Sequence, residues 1–518
     1  MTQRAIDQTA GRQPWTEVDP SGAPAPRGLA DKIQQRFGFA PKSWQACATA
    51  DCIRGDDVIV IAGTGSGKSL VYQAILAVSE KAIVLVVSPT LALIRDQAQW
   101  VIDQGFRVAE LTRENLMVNP ALWNQVDSGA FDLVLASPEV LLRDGSHFWL
   151  KTIRGRSNQF CTRLKAVAVD ESHLVWGWRE FRKDYLNIGA LRAHFPTIPI
   201  IALSATLMPN VLAFVSQSLQ LRPGRTRLYR LSIDRPNIMH IVSKLPTKQS
   251  IDYSKLDFLL SRQGPIWSIH KAMVFVDNID EAHKIYLWLA ARAKHFWAER
   301  ADSVIRPYSS NLEAATRDRF MNAFRDGSTR ILICTDAAGM GLHVPDVKII
   351  VQWKLRRRLG RAGRDTRIAA ISIVFADSQF FLANGPECPE QYQDYIQKVI
   401  PGDTVSRNRV RDMISSFYKD KNPSERGKTD TACARLDPGL LFYVNTLGCR
   451  CRAALATFGD SAAYESQNRA PGCCDNMLYL LDPDDAQNCV LNGVSASLSF
   501  ENLARPQLQQ FDKQSTLG

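Results

Sequence analysis

The chain has 518 residues and a mass of 57.9 kDa, with 45% hydrophobic and 22% charged residues. These values exclude wholesale disorder and a collagen-like fold, and the length predicts several domains. Lys and Arg total 63 against 52 Asp and Glu, and the net charge of +11 permits a polyanionic partner without requiring one. Cysteine is too sparse, at 11 residues, for a disulfide scaffold.

Residues 1–28 are polar and proline-rich, which predicts a flexible tail. They contain no apolar core of a secretory signal, and no apolar run reaches the ~18 residues of a membrane span. Short apolar segments then alternate with amphipathic ones, as in parallel sheets buried on both faces. The predicted strands are 57–61, 82–87, 131–136, 164–169 and 198–203, then 272–276, 303–308, 330–334, 348–351 and 370–375.

Two series of strands predict two α/β units in tandem, at 29–224 and 225–385. Breaks at Pro223 and Gly224 mark the join between them. The sequence after 385 is more polar and weakly helical, which predicts a helical region with a cysteine cluster at 386–480 and a tail at 481–518.

A phosphate-binding loop is predicted where the strand 57–61 runs into a glycine-rich segment followed by a helical one. Glycines let backbone N–H groups converge on phosphates, while Lys68 reaches the terminal phosphates and Ser69 ligates Mg²⁺. The alternative is a glycine-rich turn without function, although the strand–loop–helix context favours ATP. The first position of the loop is Ala62 rather than glycine. The predicted ATP contacts here are Thr64, Gly65, Ser66, Gly67, Lys68 and Ser69.

Two carboxylates, Asp170 and Glu171, follow the strand 164–169 directly. An Asp at the end of a neighbouring strand can help to hold Mg²⁺, and an adjacent Glu can orient and deprotonate water. An Asp-Glu pair after a strand is by itself more often a solvated loop. Behind a phosphate-binding loop, it predicts that Asp170 and Glu171 are catalytic and that Asp170 joins Ser69 as a Mg²⁺ ligand.

These motifs resemble those of superfamily 2 helicases, and specifically of the RecQ family of DNA helicases, from about residue 33 to residue 480. The segment 36–39 followed by Trp44 and Gln45 resembles the first RecQ motif, which implies that Gln45 hydrogen-bonds the adenine edge. The segment from 88–90 through 96–97 resembles the part of the motor that grips the backbone of the tracking strand.

The remaining motifs of the resemblance assign further roles. His173, after Ser172 in place of the family's common Ala, together with Ser204 and Thr206, resembles the residues that couple ATP to DNA. In the second unit, 235–237 and 334–341 match, which adds Asp336 and Gly339 to the coupling set. The segment 360–365 resembles the last motif, so Arg361 and Arg364 are implied arginine fingers; the alternative is a solvated basic loop.

The resemblance implies two tandem RecA-like domains with parallel sheets, followed by a small helical region. It implies an ATP- and Mg²⁺-dependent 3′-to-5′ DNA helicase that acts in recombination or repair in the nucleus, on single-stranded and duplex DNA. An aromatic segment holds Trp176, Trp178, Phe181 and Arg182, which suit stacking on single-stranded bases. The alternative is that these aromatic residues are part of the core. RecQ proteins are aromatic-rich at this place, which favours DNA over RNA.

The chain departs from the family pattern at two places. Only residues 354–359 separate Trp353 from Gly360, and Arg357 stands where the family has Gln. Losing about seven residues removes about 10 Å of helix, at about 1.5 Å per residue. Either a coding fragment has been lost, or the protein is a poorly catalytic relative that holds ATP and nucleic acid.

The second departure is in the C-terminal region, where RecQ proteins bind Zn²⁺ with four cysteines. Here Met477 takes the position of the final ligand. Cys449, Cys451, Cys473 and Cys474 still offer four thiols for Zn²⁺. The alternative is a degraded site with free thiols.

Overall fold

The computed structural model describes residues 14–20, 26, 28–142, 148, 159–179, 182–235, 237–245, 253–260, 269–297, 301–309, 311–335, 344–354 and 370–377, together with 380, 440, 443–444, 450–458, 460 and 474. The chain divides into two units, Met1–Ile233 and Asp234–Gly518. Each is built on its own parallel sheet, so the predicted α/β class with two parallel sheets is confirmed.

The first unit contains an eight-stranded sheet. Its strands are β1 Thr16–Val18, β2 Asp57–Ile61, β3 Ile83–Val87, β4 Val108–Leu111, β5 Leu133–Ala136, β6 Leu164–Val169, β7 Ile200–Ser204 and β8 Thr226–Arg230. They lie side by side in the order β1-β8-β2-β7-β6-β3-β5-β4, and every pair is parallel.

Short helices connect these strands. They are α1 Leu29–Phe37, α2 Ser43–Ile53, α3 Leu70–Val78, α4 Leu91–Asp103, α5 Arg113–Val118, α6 Leu122–Asp127, α7 Pro138–Leu142, α8 Gln159–Arg163, α9 Leu174–Gly177, α10 Leu191–His194, α11 Pro209–Ser218 and a 3₁₀ helix Lys183–Ala190. The start of α4 shows why such a helix begins where it does. Thr90 is extended, and its hydroxyl accepts a hydrogen bond from the N–H of Leu93 at 3.3 Å, which satisfies a donor of the first turn.

The second unit has a six-stranded sheet in the order β11-β12-β10-β13-β14-β9. The strands are β9 Ile238–Leu245, β10 Ala272–Val276, β11 Ile305–Tyr308, β12 Ile331–Cys334, β13 Ile349–Trp353 and β14 Ala370–Asp377. The described helices are α12 Ile279–Trp297, α13 Ala301–Val304, α14 Ala314–Asp326, α15 Arg450–Thr457 and a 3₁₀ helix Tyr253–Leu259.

Both faces of the second sheet are covered, which explains the continuous apolar runs in the sequence. In β13, Ile349, Val351 and Trp353 belong to one buried cluster, while Ile350 belongs to another. Successive side chains of a strand point to opposite faces, so these two clusters lie on the two sides of the sheet.

Two predicted boundaries need correction. The predicted tail 1–28 contains β1, which pairs with β8 through Thr16 and Arg227. The predicted start of the second domain at 225 falls too early, because β8 pairs with β2 and so completes the first sheet. The predicted regions 386–480 and 481–518 lie almost entirely outside the described residues; α15 is the described helix there.

Candidate active site

Strand order gathers the predicted motifs at one edge of the first sheet. Four neighbouring strands run in the order β2-β7-β6-β3, and parallel strands all end at the same edge. The segments at their carboxyl ends are 62–69 after β2, 204–206 from the last residue of β7, 170–173 after β6 and 88–90 after β3. The phosphate loop, both carboxylates, Ser204 and the start of α4 therefore converge, in the position where α/β sheets bind ligands.

The phosphate loop has backbone conformations that require glycine at two positions. Gly65 has φ +82° and Gly67 has φ +85°, in the left-handed region that L side chains rarely adopt. The φ angle also explains why the first position of the loop can be Ala62 rather than glycine. Ala62 is not among the residues of positive φ, and its N–H donates to the Ser204 carbonyl at 3.1 Å, so no glycine is needed there.

Lys68 places its ammonium group within the loop. Its Nζ donates to the carbonyl oxygens of Ala62 at 2.8 Å and Gly63 at 3.1 Å. The helix α3 begins just after Ser69, so its first N–H groups and the positive end of its dipole face the same loop. This is a positively charged cradle for phosphate oxygens.

Gln45 contacts the backbone of the phosphate loop directly. Its Nε2 donates to the Gly67 carbonyl at 2.9 Å, and its Oε1 accepts from the Lys42 N–H at 2.7 Å. A Cβ added to Gly67 would lie 2.6 Å from Gln45 Nε2, so the Gln45 side chain would have to move. Sequence reasoning assigned Gln45 to adenine, and the structure adds a second role in holding the loop.

Asp170 is almost buried, with 7% of its surface exposed. Its carboxylate accepts hydrogen bonds from Gln97 Nε2 at 2.5 Å and from the Glu171 N–H at 2.9 Å. Burial and the neighbouring Glu171 charge raise the pKa of Asp170 to about 6, although Lys68 and these hydrogen bonds act in the opposite direction. The resemblance placed Gln97 in the segment that grips DNA; in the structure it donates to Asp170, the carboxylate predicted to be catalytic.

The donors predicted for Mg²⁺ fit that ion. Ser69 and Asp170 offer a hydroxyl and a carboxylate, the hard oxygen ligands that Mg²⁺ prefers. Both act on the pKa of the buried Tyr72, which burial and the Asp170 charge raise and Ser69 lowers, so the two groups lie in one locality. No group of three or more metal-ligating His, Cys, Asp or Glu side chains occurs among the described residues, so Mg²⁺ held here would need oxygens from ATP and water.

A chain of polar contacts leads from Glu171 to the end of β7. Glu171 Oε2 lies 3.3 Å from His173 Nδ1, and the same nitrogen lies 3.0 Å from Ser204 Oγ. Ser204 Oγ also accepts from the Thr206 N–H at 3.1 Å. The predicted coupling residues of the first unit are thus in contact with the predicted catalytic base.

The backbone at this turn is strained. Glu171 has φ +46°, an unfavourable value for a residue with a side chain. The next residue, Ser172, is completely buried, and its hydroxyl has no hydrogen-bonding partner among the described residues. Such a hydroxyl costs free energy, which explains why Ala is common at this position in the family.

The two tryptophans of the aromatic segment have different environments. Trp176 is partly exposed, packs edge-on against Phe214 with ring centroids 4.9 Å apart, and has the Arg179 guanidinium 3.8 Å from its centroid. Trp178 is only 7% exposed. It packs edge-on against the buried Tyr185 at 5.3 Å.

Arg182 packs against Trp178 on the buried side of this segment. Its guanidinium lies 4.4 Å from the Trp178 centroid, pairs with Glu139 at 2.5 Å and donates to the Pro89 carbonyl at 3.0 Å. The structure therefore favours a packing role for Trp178 and Arg182 over the predicted base stacking. Trp176 remains partly exposed, and Arg179 and Phe214 are partners that sequence reasoning missed. Phe181 lies outside the described residues.

Several predicted residues are also outside the part of the chain that the structure describes. They are Arg361, Arg364, Asp336, Gly339, Cys449 and Cys473. Cys451 and Cys474 are described, and both side chains are buried. Cys474 Sγ accepts from the Arg450 N–H at 3.4 Å. The predicted Zn²⁺ site therefore gains no support from the described residues.

Comparison with family models defines the class of protein. Residues 42–214 match the DEAD/DEAH box helicase family and residues 256–367 match the helicase conserved C-terminal domain. The fold agrees: the helicase Lhr of Mycobacterium smegmatis, solved with single-stranded DNA and AMP-PNP, superposes with a TM-score of 0.53 at 20% identity, over 69% of this chain and 48% of Lhr. The chain therefore contains segments that match both helicase domain models.

Sequence relatives of the chain include DNA helicases of the RecQ family. The ATP-dependent DNA helicase RecQ of Pasteurella multocida is 26% identical over 437 residues, which are 81% of this chain and 64% of that protein. The ATP-dependent DNA helicase Q5 of Rattus norvegicus is 27% identical over 458 residues, 84% of this chain and 42% of that protein. The predicted resemblance to RecQ helicases is confirmed, and the chain spans about two-thirds or less of the length of these relatives.

The described helices include none that is both long enough and apolar enough to cross a membrane.

Proposed function

We propose that the protein is an ATP- and Mg²⁺-dependent 3′-to-5′ DNA helicase, which couples hydrolysis to translocation on single-stranded DNA and to duplex unwinding. The observation that carries this proposal is the chain of contacts from Glu171 through His173 to Ser204. A protein that only holds ATP has no need to connect its hydrolytic carboxylate to a neighbouring strand. A motor does, because nucleic acid must change the rate of hydrolysis.

The chemistry assigned to the first unit follows from the site. Lys68 and the loop N–H groups bind the β- and γ-phosphates, and Ser69 and Asp170 would hold Mg²⁺, which would neutralise negative charge on the phosphates. Glu171 accepts a proton from water as its oxygen attacks the γ-phosphorus, and the bond to the ADP oxygen breaks. In this proposal, Arg361 and Arg364 stabilise the charge that develops on the transferred group.

DNA is proposed as the substrate because the relatives are named DNA helicases and because Trp176 offers a partly exposed ring next to Arg179. The 3′-to-5′ direction, action in recombination or repair, and a nuclear location are parts of the same proposal and rest on the resemblance. Imaging of the tagged protein in its own host cell tests the location.

Steady-state ATP hydrolysis with and without single-stranded DNA tests the proposed activity, with Lys68→Ala as the inactive reference. We expect DNA to stimulate turnover strongly, and the variant to lose both basal and stimulated hydrolysis. Matched RNA and DNA strands as competitors identify the preferred nucleic acid, and duplexes with a 3′ or 5′ overhang report the direction. Tight ATP binding without turnover under any nucleic acid would instead identify a non-catalytic relative.

A further inference from the structure

A glutamine of helix α4 holds the buried carboxylate of Asp170. Gln97 Nε2 donates to Asp170 Oδ2 at 2.5 Å, although the two residues are 73 positions apart in the sequence. The other oxygen, Oδ1, accepts from the Glu171 N–H at 2.9 Å. Each carboxylate oxygen can accept about two hydrogen bonds, so each can take a further partner. Two donors from the chain therefore determine how the carboxylate is turned.

Gln97 lies on the face of α4 that packs against the first sheet. The buried residues of this helix are Ile94, Ala98 and Val101, which share a cluster with residues of the strands. Gln97 follows Ile94 by three positions, so the two side chains are neighbours on the helix surface. An apolar residue is expected at such a position. The glutamine is an exception to the pattern of the helix, and its amide bonds to the carboxylate that follows β6.

The oxygen of the same amide shows that packing alone does not account for Gln97. Gln97 Oε1 is buried and has no hydrogen-bonding partner among the residues that the structure describes. A buried oxygen without a partner costs free energy, which Leu or Met at this position would avoid. Such a group in a native protein needs an explanation, and a role in a catalytic site is one. The useful part of this side chain is therefore the N–H that reaches Asp170.

The charge of the partner matters for a carboxylate that is to bind a cation. Gln97 offers a donor without a positive charge, so it can orient the carboxylate and leave its negative charge available. Asp57, at the opposite edge of the same sheet, is instead paired with the guanidinium groups of Arg192 and Arg222, each at 2.8 Å. A guanidinium at position 97 would form such a charge-assisted pair with Asp170 and compete with Mg²⁺. A neutral donor suits a carboxylate that binds metal.

We propose that Gln97 is a positioning residue for Mg²⁺: by fixing the orientation of the Asp170 carboxylate, it sets the affinity with which the nucleotide site takes up the ion. This inference rests on the proposed function, in which Ser69 and Asp170 hold Mg²⁺. The resemblance places Gln97 in the segment that grips DNA, whereas its contact assigns it to the ATP site. Hydrogen-bonding partners of metal ligands typically contribute about 10–100-fold to metal affinity or activity.

The test compares Gln97→Met with Gln99→Met in the full chain. Methionine keeps the unbranched shape and the helix propensity of glutamine but has no N–H donor. Gln99 is the matched control, because it lies in the same helix and its Nε2 also donates to a carboxylate, that of Asp103 at 2.8 Å, at an exposed position. Mn²⁺ replaces Mg²⁺ as the probe for binding, since the electron paramagnetic resonance signal of free Mn²⁺ reports how much the protein–ADP complex takes up.

We expect Gln97→Met to weaken Mn²⁺ binding to the protein–ADP complex by about 10-fold or more, and to raise the Mg²⁺ concentration for half-maximal ATP hydrolysis by a similar factor. Added Mg²⁺ should restore much of the lost kcat. The affinity for a fluorescent ADP in EDTA should stay within about twofold, because the phosphate loop is unchanged. Gln99→Met should match the unmodified protein. Should Gln97→Met melt at a much lower temperature, Gln97→Leu replaces it, since leucine suits the buried face of α4.

The outcomes are distinct. Unchanged metal affinity in Gln97→Met, or an equal loss in Gln99→Met, overturns the positioning role and leaves the proposed ATPase in place. An unmodified protein whose ADP complex binds no Mn²⁺ overturns both. A loss of metal affinity confined to Gln97→Met supports the inference. If that loss occurs in a protein that never hydrolyses ATP, with or without DNA, the positioning role stands and the proposed helicase activity is overturned.

Discussion

The two ends of strand β2 show how one sheet separates stability from chemistry. At its first residue, Asp57 is completely buried, and its carboxylate accepts five hydrogen bonds, from the Ile200 and Arg222 N–H groups and from the guanidinium groups of Arg192 and Arg222. At its other end, β2 runs into the phosphate loop. There Asp170, which directly follows β6, accepts hydrogen bonds from Gln97 and from the Glu171 N–H and has a raised pKa.

The difference follows from what each carboxylate must do. Asp57 joins α10, β7 and the segment before β8 to the start of β2, and two buried or half-buried arginines balance its charge. In the proposed function, Asp170 keeps an oxygen for Mg²⁺. Strain at Glu171 and the Ser172 hydroxyl without a partner lie at the same edge. Asp57 at the amino edge is fully hydrogen-bonded, whereas we propose that the carboxyl edge is left with unsatisfied groups for binding ATP and Mg²⁺.

Among the predicted effects, the largest is expected from removing the charge of Glu171, which tests the carboxyl edge of the first sheet. Glu171→Gln keeps the size of the side chain but cannot take a proton, so we expect kcat for ATP to fall by about 10²–10⁴-fold. Nucleotide affinity and melting temperature should change little, because Lys68 and the loop are intact. Turnover within about twofold of the unmodified protein would show that another group is the base.

Asp57→Ala tests the amino edge of the first sheet. It leaves the two arginine charges without their carboxylate, and breaking such a buried pair costs about 3–5 kcal/mol. Chemical denaturation should show this loss of stability, with kcat per folded molecule nearly unchanged. Asp56→Ala is the matched control: its partners Arg225 and Arg227 are more exposed, so the expected loss is about 1 kcal/mol or less. Similar losses for both variants would contradict the comparison.

Trp176 and Trp178 allow stability and DNA binding to be compared at the carboxyl edge itself. Trp178→Ala should lower stability by about 3–5 kcal/mol, because it empties a buried site between Tyr185 and Arg182. Trp176→Ala should instead weaken single-stranded DNA binding by about 1–3 kcal/mol with little effect on unfolding. Fluorescence anisotropy with labelled DNA and thermal melts measure the two properties. A reversal of the two results would restore Trp178 as the stacking residue.

The sequence predicted the central strands well and missed strands near the edges. Every strand predicted from an apolar run is present. The strands missed were β1, β4, β8 and β9, of which β1, β4 and β9 lie at sheet edges. Their side chains are partly exposed, as in the alternating burial of β4, so they lack the continuous apolar run that marks a strand buried on both faces.

The site could be predicted motif by motif but not as an assembly. Spacing identified the phosphate loop, Asp170 and Glu171, because each motif follows its own strand. The contacts that adjust those groups join distant positions: Gln97 with Asp170, and Gln45 with Gly67. They depend on the order β2-β7-β6-β3, which no local pattern encodes. The same limit explains why the burial of Trp178 was not predicted. The sequence does not distinguish Trp176 from Trp178, and only the fold shows that Tyr185 packs against Trp178.

The last prediction concerns how the stability of Asp170→Asn depends on pH, which measures the contrast between Asp57 and Asp170 directly. A carboxyl whose pKa is about 6 in the folded protein and 3.8 in its ordinary state opposes folding once it ionises. Stability contributed by the protonated form is present below pH 3.8 and is lost as the pH rises to about 6. Without Mg²⁺ and nucleotide, Asp170→Asn should therefore raise the free energy of unfolding at pH 7.5 by about 1–3 kcal/mol.

The gain from Asp170→Asn should shrink as the pH is lowered from 7.5 toward 4.5, because the unmodified protein then regains its protonated carboxyl. Denaturation at both pH values measures this difference, and Asp57→Asn is the control, since an amide there loses two arginine partners and should destabilise. If Asp170→Asn also destabilised the protein at pH 7.5, Asp170 would be a structural carboxylate like Asp57. If Asp170→Asn is more stable but unable to hydrolyse ATP, the ionised Asp170 carboxyl lowers the stability of the protein and is needed for its activity.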